Sequence, residues 1–154
     1  MKILSYLGFI ALLLCTDIGI KSCVENTIEQ GQERRFLGNK ITVRKVYNKG
    51  MALNLMDSDP DKVKQLTTGM TLVLVFYTLL TLCKKGSMLR KLGLSLMTAG
   101  ALGNVFDRYI RGYVIDYLAI NSKHEKINRI TFNLADLMIV EGGLYYFLSG
   151  LKGS

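Results

Sequence analysis

The stretch LTTGMTLVLVFYTLLTLC, residues 66–83, contains no charged residue, and KKGSMLRK, residues 84–91, follows it at once with four basic residues and no acid. A run of that length approaches the roughly 20 residues a helix needs to cross a bilayer. A dense basic cluster directly behind such a run marks a short cytoplasmic loop. Outward from this pair lie three more apolar blocks, Ile3 to Ile20, Leu89 to Phe106 and Phe132 to Leu151. Together with a composition that is 49% hydrophobic and 21% charged, four such blocks exclude an ordinary soluble domain. The expected architecture is an all-α membrane protein. It forms one domain over residues 1–154, a four-transmembrane-helix bundle with helices at about 3–20, 66–83, 89–106 and 132–151.

The basic loop places both termini in the cytoplasm and leaves two outer segments, about 22–65 and 107–131, on the far side. Those segments carry many lysines and arginines of their own, but six acids between Glu25 and Asp61 dilute the first. The local density at Lys84–Lys91 therefore decides the orientation. No small-x-small cleavage pattern follows the first block, so it is read as a retained helix rather than a signal peptide. Leu14 is too large to precede a lipidated cysteine at Cys15. Cys15, Cys23 and Cys83 are scattered without C-x-x-C spacing, and His124 is the lone histidine, so neither a metal site, a disulfide framework nor a cofactor is expected. The net charge of +8 is split among loops without interleaved aromatics, which argues for membrane lipid head groups as partners and against nucleic acid.

Within the first outer segment, Ile41–Tyr47, Asn48–Gly50 and Met51–Met56 read as strand, turn and strand, a small sheet on the extracytoplasmic membrane surface. Asp59 before Pro60 is a plausible N-cap with proline at the first helical position, so the second helix begins outside the apolar block.

Ionisable residues in or beside apolar spans are costly and are functional candidates by default. Asp17 and Lys21, four apart, share a helix face. In the third block Gly93, Gly100, Asn104, Asp107 and Arg111 fall along one face, with Arg108 one turn beyond Asn104. Ser95, Ala99 and Gly103 form a small-residue seam for close helix packing. Asp116 interrupts the extended stretch Gly112–Leu118, and Asn133 and Asp136 lie three apart at the start of the fourth block. Two carboxylates presented from separate segments suit an aspartic hydrolase, in which a close pair shares one proton. The same acids also suit a proton- or ion-coupled transporter with Asp17, Asp107 and Asp136 as a relay. A structural assembly subunit is a third reading, but it leaves the polar positions unexplained.

At these positions the chain resembles the lipoprotein signal peptidases, or type II signal peptidases, through nearly its whole length. D-x-x-x-K is matched by Asp17 to Lys21, and N-x-G-x-A by Asn48, Gly50 and Ala52. G-A-x-G-N-x-x-D-R is matched by Gly100 to Arg108, G-x-V-x-D-[FY] by Gly112 to Tyr117, and F-N-x-A-D by Phe132 to Asp136. The resemblance implies a membrane aspartyl endopeptidase of the bacterial inner membrane, with Asp116 and Asp136 as catalytic pair near the outer face. It implies Asn104, Arg108 and Asn133 lining the site, with Asp17, Lys21, Asn48, Gly50, Asp107 and Ala135 binding substrate or supporting it. It further implies a surface sheet cradling diacylglyceryl-modified prolipoproteins cut just before the lipidated cysteine, and inhibition by cyclic peptides such as globomycin. The chain departs from the family in the charged segment Asn121–Arg129 and at Glu141. Helical geometry sets Glu141 well around the axis from Asp136, so it is expected to be non-catalytic and either protonated or paired inside the bundle.

Overall fold

The computed structural model describes residues 2–50, 57–121, 123, 128 and 130–151. Four long helices and a small sheet follow in the order α1 (Ile3–Thr27), β1 (Glu33–Phe36), β2 (Ile41–Asn48), α2 (Pro60–Cys83), α3 (Met88–Ile110), β3 (Val114–Ile120) and α4 (Leu134–Leu151). Every apolar block is helical apart from Phe132 and Asn133, and α1 and α2 overrun their blocks where capping or ion pairing carries them on. α1 continues to Thr27, and α2 starts at Pro60 with the Asp59 side chain accepting from the Lys62 N–H, as the Asp-Pro pair predicts. The fourth helix starts two residues later than expected because Phe132 is drawn into a bridge with Leu118.

Three of these helices, α1, α2 and α4, are long and apolar enough to cross a membrane. α3 is long enough, at 23 residues or about 35 Å, but it carries buried polar residues, Ser95, Thr98, Asp107 and Arg108 among them, and packs against all the other three helices. It is the axis of the bundle. Its close approach to α4 depends on glycine: a Cβ on Gly93 would meet the Gly142 carbonyl oxygen at 2.6 Å, and one on Gly142 would meet the Gly93 oxygen at 2.5 Å. The glycines that let the α4 backbone approach, Gly93 and Gly100, belong to the face read with Asn104 and Asp107, whereas Gly103 of the Ser95–Ala99–Gly103 seam faces the Asp17 side chain of α1. Thr78 of α2 and Thr98 of α3 add a buried hydrogen bond at 2.8 Å. Outside, α2 and α4 expose Leu72, Val73, Phe76, Val140 and Phe147, apolar faces suited to lipid.

The sheet is antiparallel in the order β1-β2-β3. The hairpin between β1 and β2 differs from the expected strand-turn-strand, whose second strand, Met51–Met56, lies outside the described residues. Val46 pairs with Asp116 and Asn48 with Val114, so Asn48 lies on the Asp116 face and diagonally opposite it. A cluster of Val24, Ile28, Ile115 and Tyr117 packs the sheet onto the end of α1.

Candidate active site

The start of α4 organises the polar centre. The first backbone N–H groups of a helix have no partner within it, and here three segments supply them. Leu134 N–H donates to the Tyr117 hydroxyl at 3.2 Å, Ala135 N–H to Asp17 Oδ1 at 3.1 Å, and Asp136 N–H to Asn133 Oδ1 at 2.9 Å. Asn133 N–H donates back to Asp136 Oδ2 at 3.0 Å, which closes a reciprocal capping box and fixes the Asp136 rotamer. Burial holds the Tyr117 hydroxyl protonated, its pKa pushed up to about 12.

The same Asn133 donates its side-chain amide to Asp116 Oδ1 at 2.7 Å, and Asn48 donates to Asp116 Oδ2 at 2.9 Å. Asn104 donates to Asp136 Oδ1 at 3.0 Å. Two carboxylates from β3 and α4 are therefore held by three asparagines, of which Asn133 donates to both, to Asp116 from its side chain and to Asp136 from its backbone. Burial first, and the Asp136 charge second, push the Asp116 carboxyl from the ordinary 3.8 up to about 6, against donation from Asn48 and Asn133. Such a pair is disposed to share a proton.

Beneath the carboxylates lies a buried ion cluster. Lys21 Nζ is 2.7 Å from Asp17 Oδ2 and 3.2 Å from Asp107 Oδ2, all three side chains having no exposure. The contact to Asp17 Oδ2 is an ion pair without hydrogen-bond alignment. Lys21 also donates to Asn104 Oδ1 at 2.9 Å, which orients the Asn104 amide toward Asp136. Gly103 leaves the room this needs, because a side chain there would collide with the Asp17 carboxylate.

Arg108 donates to the Gly50 carbonyl at 2.7 Å and to the Asn104 carbonyl at 3.2 Å, tying the turn after β2 to α3, while Gly50 N–H donates to Asn48 Oδ1 at 2.9 Å. A lysine has no planar fork to span two carbonyls. With charged hydrogen bonds worth about 1.5–3 kcal/mol each, Arg108→Lys is expected to lower kcat/KM about tenfold or more in a peptide-cleavage assay. Wild-type kcat/KM would remove Arg108 from the site.

A cavity of about 550 Å³ opens beside these groups, with Asn48, Asn104, Arg108, Asp116 and Asp136 at its polar end. Its other walls are apolar, formed among others by Met70 and Leu74 of α2, Val105 of α3 and Ile139 of α4. These lining residues carry no signal in one sequence, being indistinguishable from core. Two charged residues close to the site, Glu25 and Arg111, were also not singled out as site residues. Glu141 requires correction: it is exposed on α4 rather than paired inside the bundle, and it accepts from Tyr145 one turn on, at 2.6 Å. Its placement away from Asp136 agrees with the helical geometry.

Comparison with known proteins adds a second line. The family described as Signal peptidase (SPase) II matches residues 9–152. The lipoprotein signal peptidase of Mesorhizobium japonicum is 30% identical over 146 residues, spanning 93% of this chain and 85% of that protein. That of Streptococcus pneumoniae is 30% identical over 145 residues, 93% and 90% of the two chains, and that of Vibrio parahaemolyticus 30% over 151, 96% and 88%. Two solved structures of bacterial membrane enzymes share the fold, with TM-scores of 0.83 and 0.81 at 20% identity. They span 96% and 97% of this chain and 88% and 94% of theirs.

Proposed function

The chain belongs to the signal peptidase II family, and on that footing we propose that it removes signal peptides from prolipoproteins with Asp116 and Asp136 as an aspartyl dyad. The observation that supports the dyad best is that Asn133 donates to both carboxylates, at 2.7 Å from its side chain and 3.0 Å from its backbone. In this reading the ionised member takes a proton from a water held between the two as that water attacks the scissile carbonyl. The protonated member stabilises the tetrahedral oxyanion, and a proton then passes to the leaving amine as the C–N bond breaks. The cut falls just before a diacylglyceryl-modified cysteine. The polar end of the cavity receives the peptide, and its apolar walls face the lipid-bearing portion.

All four helices then span the bacterial inner membrane, α3 shielded by the other three, with both termini cytoplasmic and the sheet and dyad at the outer face. Head groups of membrane lipids meet the basic loops, and cyclic peptides such as globomycin compete for the cavity. The family match does not support the transporter reading. The direct test is incubation of the purified protein with a lipidated prolipoprotein peptide in detergent. Release of the signal peptide by wild type is expected, and its absence would overturn the proposal.

The pH profile tests the dyad separately. One proton must be kept, so kcat is expected to fall as pH rises through about 6, where Asp116 loses it; a coupled pair sets this limb jointly. The Asn48 amide stabilises the ionised Asp116 and thereby lowers its pKa. Asn48→Ala should move the limb to higher pH, and a limb that stays in place or moves down would contradict the assignment.

A further inference from the structure

We propose that Arg111 and Glu25 are positioning residues for the reaction, clamping the corner between α3 and β3 so that Asp116 is presented in register with Asp136; the proposal rests on the aspartyl reading above. Three residues make that corner, and the middle one, Gly112, has a left-handed φ of +82°. Glycine is the softest hinge a chain can have. From Gly112 to Asp116 the strand is an arm of about 13 Å at 3.3 Å per residue. A swing of about 5° at the corner thus moves the carboxylate by about 1 Å, a misplacement that can cost about 10²-fold in rate.

The residues on both sides of Gly112 are tied to the end of α1. Arg111 donates from Nε to Glu25 Oε2 at 2.9 Å and from its second terminal nitrogen to Ser22 Oγ at 2.7 Å. Its first terminal nitrogen meets the Asp107 carboxylate. Tyr113 donates its hydroxyl to Glu25 Oε1 at 2.9 Å. One carboxylate therefore grips residues 111 and 113, flanking the hinge, while the guanidinium reaches three acceptors. Asp107 carries the clamp forward, because its Oδ2 accepts from Ile115 N–H at 3.3 Å, one residue before Asp116. It also faces Lys21, whose contact with Asn104 leads to Asp136. The corner is thereby referenced to both halves of the dyad. Arg111 and Glu25 retain 12% and 28% side-chain exposure, and Arg111→Lys keeps a positive charge beside the buried Asp107 carboxylate.

The test compares wild type with Arg111→Lys, Glu25→Gln and the double variant, each as the full chain in detergent with a lipidated prolipoprotein peptide, alongside Asp116→Asn. Lysine keeps the charge but cannot hold three acceptors in one plane. Arg111→Lys is expected to lower kcat by about 10- to 100-fold, with KM within about twofold and the high-pH limb of kcat displaced. The double variant should be no worse than Arg111→Lys, because the two act as one unit. Wild-type kcat with an unmoved limb, a rise in KM alone, or additive losses would each overturn the clamp. If Arg111→Lys does not fold, Glu25→Gln decides on the same readouts. Turnover by Asp116→Asn would instead sink the dyad itself, so the two failures are told apart.

Discussion

Asp116→Asn and Asp136→Asn are each expected to lower kcat by about 10³-fold or more, the scale of positioned acid–base catalysis, while substrate or inhibitor binding persists. Each carboxylate oxygen in question accepts an amide or backbone N–H: Asp116 from Asn48 and Asn133, Asp136 from Asn104 and from the Asn133 backbone. Asparagine keeps the shape but turns an NH₂ toward one of these donors. The folding cost is that of a lost cap or neutral hydrogen bond, about 1 kcal/mol, too small to explain the loss of turnover. On the proposed mechanism, what disappears is the shared proton. The double variant should be scarcely slower than either single one, since residues acting as a unit are not additive. Kinetics with a lipidated peptide, paired with thermal shift by a bound inhibitor, read both quantities. Substantial turnover by either folded variant would end the dyad assignment.

Lys21→Met is the second large effect, and it acts mainly on stability. The ammonium faces Asp17 and Asp107 at 2.7 and 3.2 Å with no exposure on any of the three. Removing one partner of a buried ion pair leaves charge uncompensated and costs about 3–5 kcal/mol. Asn104 also loses the donor at 2.9 Å that orients its amide, so the surviving folded protein should turn over slowly. Asp17→Asn added to Lys21→Met should recover part of the lost stability by deleting one orphaned charge. Thermal unfolding in detergent measures both, and a Lys21→Met protein that melts like wild type would show that the cluster holds nothing together.

The helices were legible because each holds a long run of apolar residues. Their ends were less so: α1 runs on through Lys21 and Glu25 to Thr27, held by ion pairs to α3 that only the folded chain creates. β1 was missed for a physical reason. Glu33, Arg34, Arg35 and Phe36 are all exposed, so no period-2 pattern exists, and only backbone pairing with β2 makes them a strand. The left-handed residues Leu37, Gly38 and Asn39 were the available hint, Gly-Asn being turn chemistry. At the site, spacing gave Asp136 its face beside Asn133, but nothing in the stretch between Asp116 and Asn133, 17 positions apart, states that Asp116 meets the same asparagine. The motif resemblance, rather than periodicity, singled out that pair. Glu141 was misplaced because an acid in an apolar helix was assumed to turn inward, whereas it stands on the exposed face bonded to Tyr145.

The cap that Asp17 supplies to Ala135 joins residues 118 positions apart in the chain. During synthesis at about 5–20 residues per second, the first helix waits roughly 6–24 s for that partner to be made. Throughout that interval Asp17 and Lys21 have each other, one turn apart, so the helix can enter the membrane as a neutral pair rather than as two separate charges. The dyad, by contrast, has no assembled form until the last helix arrives, because Asp136, its backbone cap and Asn133 all come with it. Under the proposed assignment a nascent chain is therefore silent until α4 has been made, and the centre assembles only when α4 packs on α3 and takes its cap from Asp17.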